Sequence, residues 1–592
     1  MKLKKYIYAA AVLATLSFPL TSCEDMLDTE NYTESNTANY PTTLLDAEML
    51  LTSVYANLNH MSYKPESSFY MTAEFASDDL FGAGQGPGYN QATDHLMFFS
   101  DTDFDFAWQM HYKGIFNANT TIEGLINMQE QANDMEYFNQ MLGEAYFMRA
   151  YYYYQLAVMF GPVPLITSTT QDVNQPRAEV SVLYGQIASD LKNGIELMSN
   201  QRYDAYVESG HATKWAAEAL MARVFLFYTG FYEQESMPLT DGGSVTKTDV
   251  VAWLEDCINN SGHDLVGDFR NLWPYTNQFT VDDYDYTKDV IGQDGQPLMW
   301  AGNGNKEEVF AVKYCNFSGY TYENQQGYSN FYVPYFGFCN VTLDENTFPF
   351  GMGNGWGTVT PNLWNEWEAD EPNDLRRSAS ILRMADEYDM SIWPTGDMTG
   401  QWEDTGLRNK KMMPVLAYEA FERQGTWANS IFWAADPNFD IANNYGITNW
   451  GAHFQDLVII RFADVLLMHS ELTGDPASMN RVRQRAGLPA ISYSLEALQR
   501  ERRHELCFEG VRWMDMRRWH IAPEALSAQN GSAMNNVGRD VVMRDGRYTQ
   551  RYEATNGFFP IPLAQIQLSN GVLEQNEGWS GADTRYTTWD FD

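Results

Sequence analysis

The densest set of chemically capable side chains in this sequence lies in RERRHELCFEGVRWMDMRRW, Arg500 to Trp519. Arg500, Arg502, Arg503, Arg512, Arg517 and Arg518 stand there against Glu501, Glu505, Glu509 and Asp515. The chain has 38 Lys plus Arg against 78 Asp plus Glu, so six arginines in twenty positions are a local reversal. A planar guanidinium holds a carboxylate with two parallel hydrogen bonds, which an ammonium cannot do. Such a set either captures an anion or pairs with itself. On a helix, side chains three and four positions apart are neighbours. Arg502 with Glu505, Glu509 with Arg512, and Asp515 with Arg518 meet that spacing. Leu506, Phe508, Val511, Trp513, Met514, Met516 and Trp519 fill the positions between. The pattern predicts a helix, a break near Gly510 and a second helix, packed inside with its charges paired. A structural ion-pair lattice is the favoured reading over an anion site.

Other reactive patterns are missing or incomplete. There is no HExxH, phosphate-binding loop, G-x-S-x-G or G-x-G-x-x-G; in GAGQGPG at Gly82, Pro87 stands where the last glycine belongs. Asp101-Thr102-Asp103-Phe104-Asp105 begins like a calcium loop, but Phe106 replaces its glycine and Tyr112 its closing glutamate. No cofactor is expected, with a structural calcium as the lesser reading. Carboxylates are too many for a glycosidase pair to be picked out by counting. Cys23, Cys257, Cys315, Cys339 and Cys507 show no CxxC; free buried thiols are favoured over a Cys315–Cys339 bridge.

Aromatic side chains offer a second chemistry. The chain holds 17 Trp, 36 Tyr and 33 Phe, more than its basic residues twice over. Sugar rings present flat C–H faces and hydroxyl rims, so they need exposed aromatic platforms with amide, carboxylate or guanidinium partners. Residues 262–451 are rich in Gly, Asn, Asp and aromatics and hold ten of the tryptophans. Trp356, between Gly355 and Gly357, is the leading platform candidate, because glycines let a loop carry a ring to the surface. Tyr320, Tyr322, Tyr335 and Phe336 come next, and the early loop DDLFGAGQGPGYNQ adds Phe81, Tyr89 and Asn90. The net charge is −40, and −43 without the first 22 residues and their Lys2, Lys4 and Lys5. That balance excludes nucleic acid as a partner and disfavours strongly anionic polysaccharides.

These candidates need a scaffold. MKLKKYIYAAAVLATLSFPLTSC has the basic start and apolar run of a secretory signal, and Leu20-Thr21-Ser22-Cys23 reads as a bacterial lipobox with Cys23 lipidated. Residues 1–22 are then a signal and 23–42 a tether. Residues 43–261 read as a helical body, with helices over Thr43–His60, Gly143–Phe160, Val180–Met198, Ala212–Tyr232 and Thr248–Asn260. Gly143–Phe160 is apolar nearly all round, so its Arg149 requires an acidic partner. Residues 262–451 form an excursion, with Glu307–Tyr314 a strand and FPFGMGNGWGTV a loop. In TPNLWNEWEADEPNDLRRSASI, Trp364 and Trp367 read as packing residues. Residues 452–592 carry the C-terminal helices and a closing segment.

The stretch Arg500–Trp519 resembles the C-terminal signature of SusD/RagB-like nutrient-uptake outer-membrane lipoproteins of Bacteroidetes, ER-x-x-EL-x-x-EG-x-R-x-x-D-x-x-RW. Glu501, Arg502, Glu505, Leu506, Glu509, Gly510, Arg512, Asp515, Arg518 and Trp519 carry the match. The turn at Phe160-Gly161-Pro162 and the closing Pro560-Ile561-Pro562 … Gln575-Asn576 … Gly578-Trp579 agree with it. The resemblance implies a mostly α fold, a scaffold of degenerate tetratricopeptide-type helix pairs plus a loop-rich excursion. It implies a non-enzymatic glycan-binding lipoprotein on the outer face of the outer membrane, delivering oligosaccharides to a TonB-dependent SusC-like transporter. It also implies that the early loop and the excursion meet at the ligand face. The alternatives are a RagB-like peptide binder and, from another class, a secreted glycoside hydrolase.

Overall fold

The structure is a computed structural model that describes residues 40–579 and 589–590, apart from 62–63, 65–67, 85–100, 206–209, 315–328, 340, 342–344, 392–399, 419–426, 430–452 and 544–547. Helices dominate. α1 spans Leu44–Met61, α2 Phe69–Ala76, α3 Asp101–Met128, α4 Met135–Phe160, α5 Val180–Leu197, α6 Lys214–Phe231 and α7 Lys247–Asn260. Successive helices pack on one another: α3 on α1 and α4, α5 on α4 and α6, and α7 on α6. This is the stacked-pair arrangement expected from the sequence, and no helix of the described residues is long and apolar enough to cross a membrane.

Local chemistry sets the helix ends. Asp134 caps α4 by accepting from the Tyr137 N–H, and Thr246 and Asp249 form a reciprocal capping box at α7. Gly161 ends α4 at φ 72°. α4 is buried along almost its whole length, and Arg149 within it finds its acidic partner in Asp190, with Nε and Nη2 donating at 2.8 and 2.7 Å. The closing segment docks on this helix end: Asn576 Nδ2 donates to the carbonyls of Phe160 and Phe559 at 2.9 and 2.6 Å.

The excursion is less regular and builds a second hydrophobic cluster around Phe269, Trp273, Tyr275, Phe350 and Val415. A four-stranded antiparallel sheet joins it to the scaffold: β1 Leu80–Ala83, β2 Trp356–Val359, β3 Ile381–Arg383 and β4 Leu407–Asn409, in the order β1-β2-β4-β3. Two sequence expectations change here. The stretch around Trp356 is a strand, not a loop, and β1 opens what reads in sequence as the early loop. Both runs are only four residues long, too short for alternation to reveal them. Glu308–Val312, the predicted strand, pairs antiparallel with Leu457–Arg461. Trp364 is 7% exposed and Trp367 is fully buried, as packing residues.

The last part of the chain holds α8 Phe462–Thr473, α9 Pro476–Arg485, α10 Leu495–Leu506, α11 Arg512–Arg518 and α12 Leu563–Leu568. The helix–break–helix predicted for Arg500–Trp519 is α10, a turn through Gly510, and α11. Cys257, Cys339 and Cys507 are free and buried; Cys315 and the lipobox Cys23 lie outside the described residues.

Candidate functional site: an aromatic sheet end held by a buried charge clasp

Most charges of α10 and α11 are buried and paired, but mostly not with each other; Arg500 is exposed, and Arg517 donates to the Val158 and Asn556 carbonyls instead of to a carboxylate. Glu505 accepts from Arg461 and Arg376 at 3.0 Å each, and from Arg485. Glu501 accepts from Arg376 and Arg483 at 2.6 and 2.7 Å, and Glu509 from Lys411 and Arg461 at 2.7 Å each. Arg502 donates to Asp464 and Asp515 at 2.7 and 2.9 Å. Arg512 donates to Asp78 at 2.7 Å. Of the three pairs expected at helical spacing, only Asp515 with Arg518, at 2.8 Å, forms. Arg502–Glu505 and Glu509–Arg512 are replaced by partners far away in sequence, because these side chains face other elements instead of lying along one solvated helix face. Trp519 Nε1 donates to Glu471 at 2.9 Å, and Glu471 also accepts from Arg518. The surrounding guanidiniums hold the Glu505, Asp464 and Asp78 carboxyls well below the usual carboxylate range, outweighing burial, which acts the other way.

This clasp reaches the segment that starts the sheet. Arg503 Nε donates to Asp79 at 2.8 Å, and Arg512 and Arg503 both hold Asp78. The next residue, Leu80, begins β1. At the far end of β1, Ala83 pairs with Trp356 and Gly84 bridges Trp402, whose N–H donates to the Gly84 carbonyl at 2.8 Å. Trp356 is half-buried; its ring lies 4.4 Å from Tyr335 and 6.2 Å from Phe75, and its indole N–H makes no hydrogen bond among the described residues. The flanking glycines are structural necessities. A Cβ on Gly357, at φ 67°, would stand 2.4 Å from the Phe336 ring, and one on Gly355, at φ 70°, would stand 2.1 Å from Gln401 Oε1. Gln401 Nε2 donates to the Gly355 carbonyl at 2.7 Å, and Glu403 Oε2 accepts from the Ala83 N–H at 2.7 Å.

The structure therefore sorts the predicted aromatics. Trp356 and Tyr335 come together with partly open rings. Phe336 is 1% exposed, filling the space over Gly357, and Phe81 is fully buried in the pleat of β1 against β2. Neither can be a platform. Tyr320, Tyr322, Tyr89 and Asn90 lie outside the described residues. The sequence reading missed Trp402, Gln401 and Glu403. Their signal was present: GQWEDTG places a tryptophan between Gly400 and Gly406, as Gly355 and Gly357 bracket Trp356.

Carboxylates beside two other cavities are paired with lysines. Lys313 Nζ bridges Glu308 and Asp456 at 3.1 and 2.5 Å, and burial beside Asp456 pushes Glu308 up to about 8. The cavity beside that pair is about 60 Å³, well short of the ~300 Å³ at the lower end for small-molecule sites. A larger cleft of about 650 Å³ lies among Tyr284, Tyr286, Phe348 and Tyr388, where Glu387 is engaged by the Tyr284 hydroxyl and by Lys410 at 2.8 Å. Glu371, Asp374 and His504 bring ligand atoms within 4.8 Å of one another. Arg483 and Arg376, at 2.6 and 2.8 Å, already neutralise the two carboxylates, so the cluster does not suit a cation. The stretch Asp101–Asp105, which begins like a calcium loop in sequence, is the first turn of α3, where Asp105 accepts from Gln109 and Gln565 at 2.6 and 2.7 Å.

The comparisons with known proteins agree with this architecture. The profile described as "SusD-like_3: Starch-binding associating with outer membrane" matches residues 25–226, and "SusD_RagB: SusD family" matches residues 303–579. "SusD-like protein P38" of Formosa agariphila is 23% identical over 546 residues, covering 88% of this chain and 92% of that one. Among solved structures, "Laminarin binding SusD-like protein" aligns at TM-score 0.64 and 22% identity, over 90% of this chain and 99% of that one. "Surface glycan-binding protein A from Bacteroides thetaiotaomicron in complex with laminarihexaose" aligns at TM-score 0.62 and 17% identity, over 90% and 98%. With profiles of this family matching both halves of the sequence and the fold shared end to end, the chain belongs to the SusD/RagB-like family.

Proposed function

We propose that this protein is a surface-exposed, lipid-anchored glycan-binding protein that captures neutral oligosaccharides and delivers them to a SusC-like TonB-dependent transporter. The observation that carries the reading is Trp356: a half-buried ring beside Tyr335, at the start of the inner strand β2. A ring fixed on a strand between two obligatory glycines loses little freedom when a sugar stacks on it, which favours affinity. The described relatives that bind laminarin or laminarihexaose support a glucan as the ligand class. The acidic balance of the chain supports a neutral one. Lipidation at Cys23 and display on the exterior follow from the lipobox and the acidic Glu24-Asp25 after it.

Isothermal titration of the soluble chain against laminarin, xyloglucan, starch and mixed peptides tests the reading. Saturable glycan binding weakened about tenfold or more in Trp356→Ala supports it. Peptide binding without glycan binding moves the protein to the RagB-like alternative, and new reducing ends on incubation move it to the hydrolases. Retention of a Cys23→Ser variant in the membrane fraction would refute the anchor.

A further inference from the structure

The helical scaffold carries a second concavity that the reading above does not use. On α3, Trp108, Tyr112 and Phe116 are four residues apart, so their rings line one face at successive turns. They form one wall of a cavity of about 560 Å³, closed by the segment following α4 and by α12. The volume falls in the range of small-molecule sites, roughly 300–1,000 Å³.

The polar groups of this cavity are set out for a ligand with both donors and acceptors. Trp108 is 5% exposed, and its indole N–H makes no hydrogen bond among the described residues. The Tyr112 ring is pinned by its hydroxyl donating to the Pro164 carbonyl at 2.7 Å. Asp105 accepts from the side-chain amides of Gln109, which is exposed, and Gln565, which is half-buried; this fixes both and leaves each amide carbonyl without a partner among the described residues. The Gln175 amide, half-buried at the opposite wall, also has none. In a chain of net charge −40, no carboxylate lines the cavity.

Apolar side chains are also open at the mouth, with Phe116 54% and Leu568 73% exposed. An apolar protein partner would cover them, but it would also bury the Trp108 N–H and the two glutamine carbonyls unsatisfied, at roughly 1–3 kcal/mol each. A pyranose chain satisfies both demands: its C–H faces cover the rings and its hydroxyls bond the amides and the indole. We propose that this cavity is a second binding site for a neutral oligosaccharide, on the scaffold and independent of Trp356.

The test uses the soluble chain with Trp356→Ala, which removes the sheet-end site, and the same chain with Phe116→Ala added. Phe116 is exposed, so its loss leaves the melting temperature unchanged; Gln565→Ala is a second, independent lesion. Each is titrated to millimolar concentration with β-1,3-, β-1,4- and α-1,4-glucan oligosaccharides, xyloglucan and mannan oligosaccharides. The expected result is saturable binding of at least one of them to Trp356→Ala, weakened about tenfold or more by Phe116→Ala and by Gln565→Ala. No binding of any of them to Trp356→Ala overturns the proposal, as does undiminished binding in the double variant. Loss of co-purification with the transporter in Phe116→Ala, with glycan affinity intact, overturns it in favour of a protein contact. Because Trp356→Ala alone reports on the sheet end, failure at one site is distinguishable from failure at the other.

Discussion

The clasp around Glu505 and the sheet end around Trp356 are joined by one short segment and obey opposite rules. In the clasp, every signature carboxylate meets at least one guanidinium. At the sheet end, the Trp356 ring is half-open and its N–H makes no hydrogen bond among the described residues. Asp78 and Asp79 belong to the clasp, Leu80 begins β1, and the other end of β1 pairs with Trp356. A buried ion-pair lattice fixes the position of a strand whose far end pairs with the half-buried Trp356. The lesson is that the most charged stretch of a binding protein can be its support and the least charged its site.

The contrast can be broken in four ways, taken from the largest expected effect. Glu505→Ala leaves Arg461, Arg485 and Arg376 facing an uncompensated hole, and breaking a buried ion-pair set in this way costs ~3–5 kcal/mol. Poor expression and a lower urea midpoint are expected, with normal glycan affinity in whatever folds; lost affinity at an unchanged midpoint would put ligand chemistry in the clasp. Glu509→Ala should behave likewise. Acid should act on the same groups. The Glu505, Asp464 and Asp78 carboxyls titrate lower in the folded chain than unfolded, so their stabilisation is complete above the ordinary carboxylate pKa of ~4 and drains away as pH falls below it. Melting curves from pH 7 to 3 should drop steeply below about 4, and a flat profile there would contradict the assigned pairing.

Asp78→Ala tests the join. It frees Arg512 and takes one of three carboxylates from Arg503, so a loss of ~3 kcal/mol is expected together with weakened glycan binding, because β1 shifts. Stability loss without an affinity loss would uncouple clasp from sheet end. Trp356→Ala should do the reverse, lowering glycan affinity about tenfold or more while the melting temperature moves by only a few degrees, since ~1 kcal/mol of partly buried surface is removed. The smallest effect lies outside both regions. Glu218 in α6 is buried, 3.5 Å from Lys214, and burial pushes its pKa up to about 9. The folded chain must keep it protonated while the unfolded chain ionises it, so its cost grows as pH rises above ~4.3. Glu218→Gln should raise the melting temperature at pH 7, and the gain should vanish as pH approaches 4.

The helical body was legible because long apolar stripes, capping residues and the Gly161-Pro162 stop are local signals, and five predicted helices appear within a few residues of their expected limits, except that α4 begins earlier, at Met135. The signature was legible as a buried lattice for the same reason: charge and aromatic residues at that density cannot be solvated together. Its pairing was not. Phe81 and Phe336 illustrate the same limit at the site, since composition names aromatics but not which face of a four-residue strand they occupy.

The sequence by itself determined the family, the helical scaffold, the paired state of Glu501 to Trp519 and the glycines that bracket Trp356. Tertiary structure alone decided that Glu505 joins Arg461, Arg485 and Arg376, that Phe336 lies under Gly357, and that Trp356 and Tyr335 meet with partly open rings. The physical reason is range. Helix formation and capping act over three or four residues, whereas an ion pair or a ring contact is fixed by which distant strands and helices the packed core brings together.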